Sequence, residues 1–161
     1  MIAVRRRARR AVFVLVVAFA GLQFTSPAHT NPETSHSLTL ERTETVPADV
    51  ARTLTFACRD CHSNDTNWRS YTYVAPLSWW TDRHVKAGRT ELNFSVWGTY
   101  GRRRRETRLR SMCSLTEKRE MPLRSYALLH PEARISDHDI KQLCAWTALA
   151  ISQNHTGGET R

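Results

Sequence analysis

The run Cys58-Arg59-Asp60-Cys61-His62 limits the fold more than any other feature of the 161-residue chain. Two thiols three positions apart can each add to a vinyl group of a haem. The imidazole after the second thiol is then held beneath the iron as an axial ligand. A domain carrying this pattern has to leave a cleft beside it and pack against a large apolar plate. Other readings of these residues lack context. A thioredoxin-like redox pair wants a βαβ unit, and none is visible. A structural zinc site wants four ligands, usually as a second close pair, and none lies nearby. A plain Cys58–Cys61 disulfide would leave His62 without a purpose. Haem c, covalently attached through Cys58 and Cys61 with His62 on the iron, is the favoured reading.

The N-terminus bears on compartment, because haem c is attached outside the bacterial cytoplasm. Residues 5–10 read RRRARR, and AVFVLVVAFAGLQF follows from Ala11 to Phe24. A basic stretch before an apolar one of this length is the pattern of an export signal. Ser26-Pro27-Ala28 and Ala18-Phe19-Ala20 both offer small residues for cleavage. The alternative is an uncleaved inner-membrane anchor through residues 11–24. Fourteen helical residues span only about 21 Å, against about 30 Å of hydrocarbon, although snorkelling arginines extend that reach. Residues 1–28 are thus expected to be a signal peptide or an anchor, and the remainder to be periplasmic. The formal charge of +9 shrinks accordingly. Residues 1–28 carry five arginines and no acid, so the rest of the chain holds +4, which removes most support for a nucleic-acid partner.

Residues 29–45 are rich in Thr, Ser, Pro and Glu with few large apolar groups, which predicts a flexible tether. Residues 46–153 should form the folded domain, and 154–161 a disordered tail. Within the domain the periodicity is helical. Pro47 at a first helical position, with Val50, Leu54 and Ala57 behind it, leads into Cys58. Pro76 to Ala87 reads as a helix stopped by Gly88. Arg102 to Arg119 aligns Leu109, Met112, Cys113 and Thr116 on one stripe, and Tyr126 to His130 forms a short turn. Ser136 and Asp139 make a capping box before Ile140, Leu143, Cys144, Thr147, Ala148 and Ile151. The fold class is all-α: a small cytochrome c-like helical domain around one covalently attached haem. Loops fill 63–76 and 89–101.

The segments CRDCHSNDTNW, YVAPLSWW, HVKAGRTELNFSVW, EMPLRSYALLHPEARIS and LCAWT, in that order, resemble the bacterial haem-binding domain family. Members are exported or membrane-anchored proteins with one C-x-x-C-H, and the resemblance covers about residues 50–150. One departure is Trp68-Arg69, where the family commonly has Trp-Pro. The resemblance implies haem c binding and an association with electron transfer, without specifying a reaction.

Three residues compete for the second axial position. Met121 precedes Pro122, which biases it away from helix, and it follows His62 by 59 residues. A loop Met at that distance resembles small monohaem cytochromes c, and a thioether ligand raises the reduction potential. The alternative is a Met that fills a core gap. His84 shares a helix face with Trp80 and could ligate iron or act as a distal acid/base. His130, before Pro131, fits a structural hydrogen bond better than ligation. Eight of the fourteen aromatic residues fall between Trp68 and Tyr100 and offer either a haem wall or ordinary core. Arg89 and Asn93 are candidate partners for haem propionates.

Cys113 and Cys144 sit on the apolar stripes of two expected helices. Outside the cytoplasm two leftover cysteines often pair, and a loop of this size is worth roughly 3 kcal/mol; two buried free thiols are the alternative. Arg102 to Arg105, with Arg108 and Arg110, reads as a solvated helix face, as a steering patch for an acidic redox partner, or as a contact for anionic lipid. The leading functional expectation is a monohaem electron carrier. The alternative is a peroxidase-like enzyme or a gas or redox sensor with an open or weak sixth iron site.

Overall fold

The computed structural model describes residues 2–156, with side chains from Val4 to His155. Eight helices carry the fold: α1 (Ile2–Gln23), α2 (Leu40–Thr43), α3 (Ala48–Ala57), α4 (Arg59–His62), α5 (Leu77–Glu91), α6 (Arg102–Glu117), α7 (Arg124–Leu129) and α8 (Asp137–Thr156). Short 3-10 turns at His36–Leu38, Ser70–Tyr73, Phe94–Thr99 and Pro131–Ala133 link them, and no strand occurs among the described residues. The protein is all-α, as its periodicity requires.

The core forms where α3, α6 and α8 turn their apolar stripes together. Val50 and Leu54 of α3, Leu109 and Met112 of α6, and Leu143, Trp146 and Ala150 of α8 join Leu92, Phe94, Trp97 and Tyr100 in one buried cluster. The α6–α8 packing is the most extensive between any two elements. It is stapled by Cys113–Cys144, whose Cα atoms lie 4.8 Å apart. The capping box at the start of α8 is formed in both directions: the Ser136 N–H donates to Asp139 Oδ2 at 2.8 Å, and the Asp139 N–H to Ser136 Oγ at 3.2 Å. These bonds satisfy two of the amides that a helix start leaves open.

Three sequence expectations are corrected. Residues 36–45 are not a free tether. Leu40 is fully buried, Glu44 accepts from Trp97 Nε1 at 2.8 Å, and the Thr45 carbonyl accepts from Trp146 Nε1 at 3.0 Å. Gly98 closes the contact, since a Cβ there would lie 3.0 Å from Leu38 Cα. The folded unit therefore begins before residue 46. At the other end, α8 continues through Thr156; residues 157–161 of the expected tail lie outside the described residues.

The third correction concerns α5, which does not stop at Gly88 but runs on to Glu91. The N-terminal helix α1 exposes its apolar side chains from Val12 to Leu22. No described helix is long and apolar enough to cross a membrane. From the last residue of α1 onward the chain is fastened to the domain: the Ala75 N–H donates to Gln23 Oε1, and Trp79 Nε1 to the Thr25 carbonyl.

Candidate functional site

Helix α3 delivers the motif directly. The Cys58 N–H still bonds the Leu54 carbonyl at 3.1 Å, and the His62 N–H bonds the Cys58 carbonyl at 3.0 Å. The two thiols and the imidazole therefore project from one helical turn. Asp60 braces that turn. Its Oδ2 accepts from Tyr126 Oη at 2.8 Å, its Oδ1 from the Asn67 N–H at 3.1 Å, and its carbonyl from Thr66 Oγ1 at 2.6 Å. Arg59 pairs with Asp65 at 3.0 Å.

The second brace is α5. Gly88 crosses so close to the motif that a Cβ on it would stand 2.4 Å from the Cys61 carbonyl oxygen. No side chain fits that gap, which is why a glycine interrupts the middle of a helix. The close crossing brings the Gly88 and Leu92 carbonyls to 3.1 Å from His62 Nδ1. The Nδ1–H is shared between these two acceptors, which fixes the tautomer and leaves Nε2 as the ring's lone-pair nitrogen. Burial holds the His62 pKa below the usual imidazole value, against the opposing pull of the Leu92 and Gly88 carbonyls. The ring is thus neutral and oriented, as a metal ligand has to be.

Cys58 and Cys61 are free thiols. Burial pushes Cys58 up to about 12 and Cys61 up to about 11. Such thiols stay protonated, unlike the depressed pKa of an attacking thiolate in a redox pair.

Both thiols and His62 open into a cavity of about 420 Å³, within the range of cofactor sites. Its wall is mostly apolar and comes from every part of the core: Ala57, Leu92, Phe94, Met112, Leu115, Leu123 and Leu143. Met121 and His84 line the same cavity, and Arg108 with Glu91 supplies its charge. The donor set and the wall together fit a haem: imidazole nitrogen, thioether sulfur and two thiols around an apolar space.

A family model described as a haem-binding domain matches residues 17–149. The chain belongs to the haem-binding domain family. Searches of curated proteins and of solved structures returned no match. The matched span takes in residues 36–45, in keeping with their burial in this haem-binding domain.

The cavity gathers some sequence candidates and leaves others out. Met121 reaches it from the loop after α6, where a Schellman motif ends the helix: the Glu120 N–H bonds the Leu115 carbonyl at 2.9 Å, and the Arg119 N–H that of Thr116 at 3.0 Å. Arg119 takes the left-handed position at φ 58 in place of the usual glycine. Its guanidinium accounts for the choice, donating to the Ile135 carbonyl at 2.8 Å and pairing with Asp137, which ties the Met121 loop to the start of α8. The His84 ring lies against that of Trp80 in a tilted contact at 4.2 Å, and its Nδ1 donates to the Trp80 carbonyl at 2.7 Å. His130 is not part of the cavity wall. It is buried, with Nε2 2.6 Å from Tyr71 Oη and its ring stacked on Tyr126 at 4.1 Å.

Arg89 and Asn93 are committed elsewhere, which corrects their assignment to propionates. Arg89 donates to the Ser63 and Thr30 carbonyls, Asn31 Oδ1 and Thr66 Oγ1, binding residues 30–31 to the loop after the motif. Asn93 is buried, donating to Asn64 Oδ1 at 2.8 Å and accepting from the Ser95 N–H at 2.9 Å. Of the eight crowded aromatics only Phe94 faces the cavity; Trp97 and Tyr100 are core. Gly88, the Leu92 carbonyl, Asp60 with Tyr126, and Arg108 are the functional positions that sequence reasoning missed. An isolated glycine inside a helical pattern was the one available signal.

Proposed function

We propose that this domain is a covalent haem c protein exported across the inner membrane, and that its work is monohaem electron transfer. The observation that carries the reading is the convergence of Cys58, Cys61, His62 and Met121 on one cavity. Cys58 and Cys61 would hold the haem covalently, and His62 Nε2 and the Met121 sulfur would be the protein's ligands to its iron. The bound haem supplies one-electron exchange at its iron. The chain's residues do the remainder. Gly88 and Leu92 hold His62 in one tautomer, Asp60 and Tyr126 hold the turn, and the apolar wall excludes water. Export is supported by the basic-then-apolar N-terminus and by the Cys113–Cys144 bridge, a bond at home in an oxidising compartment. The exposed arginines of α6 suit an acidic redox partner.

One observation favours a second reading. His84 lines the same cavity, and because Nδ1 donates to Trp80, its Nε2 is left as an acceptor. With Met121 off the iron, His84 would serve as a distal acid/base for a peroxidase-like enzyme or sensor. Optical and electron paramagnetic spectra of Met121→Ala and His84→Ala separate the two. A low-spin wild type that becomes high-spin only in Met121→Ala supports the carrier. A wild type already high-spin supports the enzyme or sensor.

A further inference from the structure

Arg108 is the sole arginine or lysine among the described residues lining the cavity. Its side chain is three-quarters buried, and one end is occupied: Nη1 donates to Glu91 Oε2 at 3.0 Å. The rest of the fork is open. Nε is buried with no hydrogen-bond partner among the described residues. A buried cationic donor without an acceptor is costly, and no polar atom among the described residues accepts from this one. A site of this kind is built for an anion from outside the chain.

We propose that Arg108 binds a haem propionate, with Nε and Nη2 presented as a planar fork while Glu91 holds Nη1. This rests on the haem reading above and adds the group that receives the carboxylate edge. A haem carries two carboxylates and otherwise apolar surface, so a mostly apolar cavity needs a cation for at least one of them. Arginine suits the task because its fork matches a carboxylate bidentately and never loses its proton. The Glu91 pairing has a purpose of its own. It fixes the plane of the guanidinium before the haem arrives, so that less side-chain freedom is lost on binding. It also offsets part of the positive charge, which would otherwise bear fully on the neighbouring His62.

The test uses the haem-loaded protein and three variants: Arg108→Gln, Arg108→Lys and Glu91→Gln. Two readouts are taken, the reduction midpoint and the resonance Raman bending vibration of the propionates. Arg108→Gln removes a positive charge and should lower the midpoint by about 59 mV, a tenfold shift in a one-electron equilibrium. Arg108→Lys keeps the charge but not the fork, so the midpoint should move by less than about 28 mV, a threefold shift in the one-electron equilibrium, while the propionate vibration moves. Glu91→Gln should raise the midpoint and leave the vibration in place. Movement of the vibration in either Arg108 variant supports the proposal, including when only the Lys variant folds. An unmoved vibration in the Arg108 variants overturns it, even if the midpoint falls, since charge alone would then account for the potential. A wild type that carries no haem would overturn the underlying reading as well, and is recognised before any variant is made.

Discussion

At the residue scale the site turns on Gly88. It occupies a place where helical propensity argues against glycine by about 1 kcal/mol, and the gap to the Cys61 carbonyl explains why the penalty is accepted. Gly88→Ala should force α4 and α5 apart, destabilise the protein by about 1–3 kcal/mol and break the shared bond from His62 Nδ1. The check is a denaturant titration with a haem stain of the same samples; a variant as stable and as fully loaded as wild type would contradict the close-crossing argument. That Cys58, Cys61, His62 and Met121 would come together on one cavity was legible in the sequence, because the motif is local and Met121 is marked by the following proline. Gly88 was misread as a helix stop because a glycine after a periodic stretch usually is one. Only the crossing helix reveals otherwise. Arg108 and Glu91 were not legible at all, since their pairing depends on where α5 and α6 meet.

Helix boundaries and the capping box were largely readable at the element scale because they follow from local chemistry. The segment 36–45 was not. Its composition is polar on average, yet Leu40 alone is enough to seat it in the core, with Glu44 and Thr45 receiving the two indole N–H groups. Leu40→Ala should cost about 2–5 kcal/mol, whereas the same change in a true tether would leave the unfolding midpoint where it was. The aromatic cluster divides between its two readings, Phe94 facing the cavity and Trp97 and Tyr100 the core, because residues crowded in sequence face different ways. The α6–α8 staple adds a second element-level prediction. Cys113 and Cys144 close a loop of 31 residues, so reduction should lower stability by about 3–4 kcal/mol in the chain-entropy account. Equal midpoints with and without reductant would show that the α6–α8 packing suffices alone.

Across the whole molecule, charge is distributed unevenly. On α6, Arg105 is spent on Glu44 and the Tyr100 and Gly98 carbonyls, and Arg104 lies over the Tyr100 ring. Arg102 remains largely exposed, with only a long contact to Glu106 at 4.0 Å. The run is therefore partly structural and partly free to steer. If it receives an acidic redox partner, the bimolecular rate of electron transfer should fall several-fold between low and physiological salt. A salt-independent rate would count against steering.

The central claim is that Cys58 and Cys61 carry a haem. It is tested most directly by producing the full chain in a host with working haem c maturation and measuring the intact mass of the denatured product. The expected mass is that of the polypeptide plus one haem, retained in acid and organic solvent, and lost when Cys58 and Cys61 are both replaced by Ala. A colourless product with the mass of the bare polypeptide would contradict it.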